Sequence, residues 1–307
     1  MKVMVTGGAG FIGSNTVDLF VKEGFDVSVV DDLSTGYEVN LNEKASFYKA
    51  DIRNKDLEEV FKAERPDFVV HKAAHILVRK SVKNPAFDAE VNVLGSLNLL
   101  DLCRKYDVKK IIYASSGGAC YGSPKYLPAD EKHEINPLSP YGISKHTVEH
   151  YLWLYEKVYG LDYVTLRLGN VYGPRQDPAC EAGVIAIFLG KFLAKVTPKI
   201  NGDGEQTRDY VYVEDVCEAN LLSIKKSTTS RIFNIGTGVP TSVNEITTLL
   251  QKLIPTDIQP THGPAIAGEV RDIHLDVSLA KKELGWKPKT ILEEGMKKTV
   301  EWTKENQ

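Results

Sequence analysis

The chain has 307 residues, of which 42% are hydrophobic and 26% charged, with a formal net charge of −3. That length suits a nucleotide-binding domain plus a smaller partner, and the weak charge offers no basic field for nucleic acid or an anionic membrane. Apolar runs stop well short of the roughly 18 residues of a membrane span, and MKVMVTGGAGFIG runs straight into a strand and a glycine turn, so no export signal and a cytoplasmic location are expected.

In chain order, short β-branched runs (KVMVTG, DVSVVDD, SFYKAD, FVVHKAA, KKIIYASS, DYVTLRLGNVYG) alternate with stretches of helical length and period. This alternation predicts a parallel sheet. Residues 11 to 24 carry Ile12, Val17, Leu19, Phe20 and Val21 and stop at Gly24, which predicts a helix closed by glycine within one βαβ unit. After Pro174 the elements shorten, with turns at residues 201–205, 236–241, 261–265 and 285–288. Residues 209–224 are again a strand followed by a helix, so the chain is expected to return to the first domain. The expected fold is α/β: a Rossmann-type doubly wound parallel sheet (1–171 plus 209–236) with a smaller α/β substrate-binding C-terminal domain (172–208 plus 237–307). Cys103, Cys120, Cys180 and Cys217 show no CxxC spacing and are expected to be reduced and mostly buried.

Between the first strand and first helix, Gly7, Gly10 and Gly13 form G-x-x-G-x-x-G. Glycine is needed there for a positive φ, for close approach of backbone to a pyrophosphate, and for helix–strand packing, while the free helix N–H groups bind the phosphates. Asp31 and Asp32 end the second strand, where a carboxylate accepts from the adenosine ribose hydroxyls and repels a 2′-phosphate, so NAD is expected over NADP. The plainer alternative for Asp31 is a polar strand end. Asp51 and Ile52 are placed over the adenine, and Ala73 and Ala74 are small enough for the dinucleotide to pass close above the sheet. Tyr141 and Lys145, i and i+4 in PYGISKHTVEHYLWLY, share one helix face. A neighbouring ammonium and a nicotinamide cation favour the phenolate, so Tyr141 is expected to act as a base and Lys145 to hold the nicotinamide ribose.

TGGAGFIG, VVDDLSTG, YASSGGACYG, YGISK, LRLGNVYGP, GDGEQTRDYVYVEDV and FNIGTG together resemble the extended short-chain dehydrogenase/reductase family, most closely its UDP-glucose (UDP-galactose) 4-epimerases. The resemblance implies a tightly held NAD that takes hydride from carbon 4 of a UDP-hexose while Tyr141 takes the hydroxyl proton. The 4-keto sugar then turns over and receives hydride on its other face, with no net redox change. By motif it places Phe11, Ile12, Leu33, Ser34, Thr35, Gly36, His75, Asn92 and Ser115 at the cofactor. It places Ser116, Gly117 and Asn170 at the substrate, Ile200, Asn201 and Gly202 at a slot for uracil, Arg208 on the diphosphate, and Glu269 and Arg271 on ribose and phosphate. It also implies a homodimer formed by helices near 85–105 and 141–160, with Leu97, Leu100, Leu152 and Leu154 supplying the face or else the core.

Several residues depart from that pattern. Where most relatives have a third Ser or Thr, this chain reads Ser115-Ser116-Gly117, so Ser116 or a water is expected to supply the hydroxyl, unless Ser116 only satisfies backbone. Gly117-Gly118 replaces the Asp-Glu pair of the family's 4,6-dehydratases, which argues against water elimination. Ile266 replaces an arginine of the phosphate clamp, and Ile273, of intermediate size, stands where pocket size is set. His71/His75 and His146/His150 lack the further ligands of a metal site, and no metal is expected. Other functions compete: another nucleotide-sugar enzyme of the same family, either a UDP-N-acetylhexosamine or UDP-uronate 4-epimerase or a net oxidoreductase, reductase or decarboxylase that releases NADH, and a silent NAD-binding protein, against which Tyr141 and Lys145 speak.

Overall fold

Strand β1 (Lys2–Thr6) buries Val3 and Val5 in one core and Met4 in another, so it is apolar on both faces. Such a strand needs helices above and below. The computed structural model, which describes residues 1–178, 183–266 and 270–306, supplies them. Helix α1 (Phe11–Lys22) leads to β2 (Asp26–Asp31), then β3 (Ser46–Lys49), α2 (Leu57–Glu64) and β4 (Phe68–His71). Short helices α3 (Val78–Lys83) and α4 (Pro85–Ala89) and a π-helical turn at Glu90–Leu94 precede α5 (Gly95–Lys105) and β5 (Lys110–Ser116). The turn α6 (Gly117–Cys120), the long α7 (Pro140–Tyr159) and β6 (Asp162–Leu168) follow.

The sheet runs β10-β6-β5-β4-β1-β2-β3, β10 being Ile232–Ile235, and every pairing in it is parallel. The strand order reverses between β1 and β4, so the sheet is doubly wound as expected, with a crevice at that switch point. One face packs α1 and α9 (Val213–Lys225) through Val17, Phe20, Val216 and Ala219. The other packs α2, α5 and α7 through Leu57, Phe61, Leu99, Leu100, Val148 and Leu152. Each such apolar side chain contributes about 1.5–3 kcal/mol when fully buried. Leu100 and Leu152 are therefore core and not part of an external face, whereas Leu154 is exposed.

The run DYVTLRLGNVYG is two strands, not one. It breaks at Gly169, where a Cβ would stand 2.8 Å from the Asp209 carbonyl oxygen, and continues as β7 (Asn170–Tyr172) in a different sheet. That sheet has the order β11-β9-β7, with β9 Thr207–Tyr212 and β11 Pro240–Ser242. The strand within 209–224 thus lies outside the large sheet, and α9 and β10 carry the chain back to it. Helices α8 (Val184–Leu193), α10 (Val243–Leu253) and α11 (Leu292–Glu305) pack around β7 and β9 in a separate core, and β8 (Lys199–Asn201) pairs with β12 (Thr261–Gly263). Among the described residues no helix is long and apolar enough to cross a membrane. Cys103, Cys120 and Cys217 are buried free thiols, and Cys180 lies outside the described residues.

Candidate active site

Beyond the carboxyl ends of β1, β2, β4 and β5 lies a cavity of about 290 Å³ lined by Gly7, Gly10, Phe11, Ile12 and Gly13 from the glycine turn. Gly7 has φ 70°, and a Cβ on it would come within 2.6 Å of the Ala73 amide nitrogen. A Cβ on Gly13 would lie 1.9 Å from the Gly7 carbonyl oxygen. Positions 7 and 13 can therefore hold only glycine. Gly10 caps α1 without a side-chain hydrogen bond, so the first-turn amides keep their capacity for an external anion. This bare cradle fits a dinucleotide diphosphate. Gly13→Ala is expected to cost about 3 kcal/mol and to yield protein without bound dinucleotide, seen as a lowered melting temperature and a lost absorbance shoulder near the adenine band.

Asp31, Asp32, Ser34 and Thr35 line one end of the cavity. Asp31 accepts from the Ala9 amide at 2.9 Å and the Leu33 amide at 2.8 Å, and burial raises its pKa against those bonds. Each carboxylate oxygen keeps a lone pair for a ribose hydroxyl. Leu33, at φ 61°, and Gly36, where a Cβ would come within 3.0 Å of Asp31 Oδ1, shape the loop and do not line the cavity. Asp51 and Ile52 line the wall, where the Arg53 guanidinium holds the Asp51 carboxyl below its ordinary range.

Ala73 and Ala74 line the middle, but His75 and Asn92 do not. Asn92 exchanges hydrogen bonds of 2.8 Å with the amide and carbonyl of His75. The buried Asp88 meets His75 Nδ1 at 3.0 Å and accepts from Ser144 Oγ at 2.7 Å. These residues clamp the loop that carries Ala73 and Ala74 to α7. His71 points away from the cavity, between Thr6 and Ser96, and burial lowers its pKa to about 3, so it is neutral.

Helix α7 starts with Pro140 after the cap Ser139, whose Oγ accepts from the Gly142 amide at 3.2 Å. Tyr141, the second residue of the helix, and Lys145, one turn further on, both line the cavity. Lys145 is 3% exposed; its Nζ donates to the Ala114 carbonyl at 2.9 Å and stands 5.8 Å from the centre of the Tyr141 ring. A cation is thereby fixed beside the phenol. Ser115 and Ser116 also line the cavity, and Ser116 Oγ accepts from the Ala119 amide at 3.2 Å. Gly117 does not. A Cβ there would lie 2.8 Å from a Leu275 methyl, which would have to shift to admit a side chain.

Of the residues expected at the substrate, Asn170 lines the cavity. Ile200 is buried in the core around β9, so only its backbone can face a ligand. The Asn201 carbonyl accepts from Gln206 Nε2 at 3.0 Å, and Gly202 adopts φ 71°. Arg208 Nη1 donates to the carbonyls of Thr207 and Arg271, at 2.8 and 3.1 Å, while Arg271 pairs with Asp203 at 2.8 Å. Glu269 lies outside the described residues. Among the described ones, Arg208 and Arg271 are bonded to each other, and β9, which carries Arg208, pairs at Tyr210 with the cavity-lining Asn170. Sequence patterning carries no hint of Lys72, Ile76, Val91 and Gln176 in the lining. It also does not mark Asp209, a buried carboxylate that accepts from the amides of Thr237, Gly238 and Leu275 and so ties two loops to β9.

Residues 3–236 match the profile of the NAD dependent epimerase/dehydratase family. A putative UDP-glucose 4-epimerase of Methanocaldococcus jannaschii is 51% identical over 304 residues, 99% of each chain. The crystal structure of a UDP-glucose 4-epimerase from Thermotoga maritima, with UDP-glucose, superposes with a TM-score of 0.97 at 48% identity, covering 100% of this chain and 99% of the other. A UDP-N-acetylglucosamine 4-epimerase from Methanobrevibacter ruminantium, in complex with UDP-N-acetylmuramic acid, gives 0.93 at 34% identity, covering 100% and 99%. The glycine cradle, the carboxylates at its far end, the Tyr-Lys pair and these likenesses agree: the chain belongs to the NAD dependent epimerase/dehydratase family, among its nucleotide-sugar 4-epimerases.

Proposed function

We propose that this chain interconverts UDP-glucose and UDP-galactose. The observation that carries the reading is that Tyr141 and Lys145 face the same cavity as the glycine turn. Bound NAD supplies the acceptor, and then the donor, of the hydride at carbon 4 of the sugar. Tyr141 takes the proton of the 4-hydroxyl and later returns it, with the Lys145 ammonium favouring the phenolate. Asn170, Arg208 and Arg271 hold the diphosphate, and the backbone at Ile200, Asn201 and Gly202 holds the uracil. Ile273, buried against Tyr121 and Leu275, limits the space near the sugar and favours plain hexoses. The M. jannaschii and T. maritima relatives support this over the N-acetyl sugar of the M. ruminantium relative.

Purified protein given UDP-galactose is expected to yield UDP-glucose, and the reverse, with no growth of absorbance at about 340 nm, where reduced nicotinamide absorbs. Free NADH accumulating with product would show a net oxidoreductase instead. Ser116 supplies the hydroxyl that Gly117 lacks, so Ser116→Ala is expected to lower kcat by about 10²-fold. Its melting temperature should fall by only the few degrees of a lost cap worth about 1 kcal/mol. Unchanged turnover would assign the hydroxyl to a water. The exposed apolar side chains Leu94, Ile143, Trp153, Leu154 and Val158, near and on α5 and α7, suit burial in a cytoplasmic homodimer. Sedimentation is expected to give twice the chain mass of 34.1 kDa.

A further inference from the structure

Lys72 follows directly on β4, and its amide donates to the Thr6 carbonyl at 3.0 Å, so it continues the strand that ends at the switch point. Side chains alternate along a strand. His71 turns toward Ser96, and Lys72 turns to the opposite face, beside the glycine turn. A Cβ on Gly7 would come within 2.8 Å of the Lys72 carbonyl carbon. Lys72 lines the cavity, and its Nζ is buried with no hydrogen-bond partner. A buried, unpaired ammonium is costly and is normally satisfied. Neither carboxylate nor carbonyl answers it here.

The groups that act on it from neighbouring elements are the Cys217 thiol of α9 and the Lys145 ammonium of α7. Cys217 is no counter-ion, since burial pushes its pKa up to about 12. Asp31, Asp32 and Asp51 lie in the lining at the adenosine end, and Lys72 and Lys145 are its only cations among the described residues. Lys145 already donates to Ala114. The one uncommitted cation of the cavity therefore stands next to the turn that cradles a diphosphate.

We propose that Lys72 is a cofactor-binding residue whose ammonium pairs with a diphosphate oxygen of the dinucleotide, taking up a proton from solvent as the dinucleotide enters. The proposal rests on the dinucleotide site and not on which sugar is turned over. Burial, with Lys145 nearby, lowers its pKa from 10.5 to about 7 in the cofactor-free fold, so Nζ is largely neutral at pH 8 until an anion arrives. Because the folded value lies below the unfolded one, this lysine destabilises the cofactor-free fold fully below about pH 7 and less and less as pH rises toward 10.5.

The test titrates the full chain, freed of dinucleotide, with NAD and with ADP-ribose at pH 8 in buffers of different ionisation enthalpy. Wild-type protein is expected to show a binding enthalpy that varies with buffer for both ligands, reporting proton uptake. Lys72→Met, close in volume, is expected to remove that variation and to weaken both ligands about tenfold or more, one charge-assisted contact's worth. Its cofactor-free form should melt higher than wild type near pH 7, with the margin shrinking toward pH 10. A purely packing lysine would not link weaker binding to a more stable empty fold. Buffer-independent enthalpy in the wild type, or affinities within twofold in the variant, would overturn the proposal, and the first of these needs no variant that folds. Wild-type protein that binds neither ligand would instead overturn the dinucleotide site.

Discussion

Tyr141→Phe is expected to lower kcat about 10³-fold, roughly 4 kcal/mol of transition-state stabilisation, while leaving the fold and the bound dinucleotide in place. The substitution removes one oxygen and keeps the ring, so the packing of α7 on the loop clamp is preserved. What disappears is the only phenol among the described lining residues, set beside the Lys145 ammonium. The expected signature is a loss confined to kcat with KM little changed, since in the proposed role the phenol acts on the 4-hydroxyl in the transition state and contributes little to holding the nucleotide. Dinucleotide content, read from the absorbance of denatured protein, should match wild type. Turnover within tenfold of wild type would remove Tyr141 from the role of base, and a search for another proton acceptor in the lining would have to begin with Ser116.

The parts of the site that can be read in the sequence are those that local backbone geometry enforces. Gly7 and Gly13 are legible because no other residue fits a turn with those clearances, and Asp31 because a strand end after a fixed helix length places it. Tyr141 and Lys145 are legible because helical spacing alone aligns them. What long-range packing decides is hidden. Gly169 reads as part of one strand until the carbonyl of Asp209, forty residues later, forces the break. Periodicity shows that α5 and α7 carry apolar stripes but cannot say that Leu100 and Leu152 face the core while Trp153 and Leu154 face outward. Lys72, Asp209, Glu149 and Arg167 are charged letters that ordinarily mean solvent, and only the fold shows the last three, and the ammonium of the first, buried.

Glu149→Gln is expected to destabilise the protein by about 3–5 kcal/mol at pH 7, because it leaves a buried guanidinium without its counter-charge. Glu149 and Arg167 are each 3% exposed and meet as a bidentate pair, with Nε–Oε1 at 3.0 Å and Nη2–Oε2 at 2.6 Å. Arg167 Nη1 also donates to Tyr121 Oη at 3.1 Å, and that hydroxyl donates to Asn234 Oδ1 at 2.7 Å. The pair therefore fastens α7 to β6 one turn beyond Lys145 and continues to β10. Burial pushes the Glu149 pKa up, but hydrogen bonds from His146 and Arg167 more than offset it and hold the carboxyl at about 2 against an ordinary 4.5. Since the folded value is the lower one, the carboxylate's contribution is complete above about pH 4.5 and is lost as pH falls through about 2. Denaturant midpoints are thus expected to differ most between wild type and Glu149→Gln near neutrality and to converge below pH 4. Replacing both partners, Glu149→Leu with Arg167→Met, removes both desolvation penalties and is expected to recover most of the loss. A double variant as unstable as the single one would mean that the ion pair itself, and not the stranded arginine, holds α7 to the sheet.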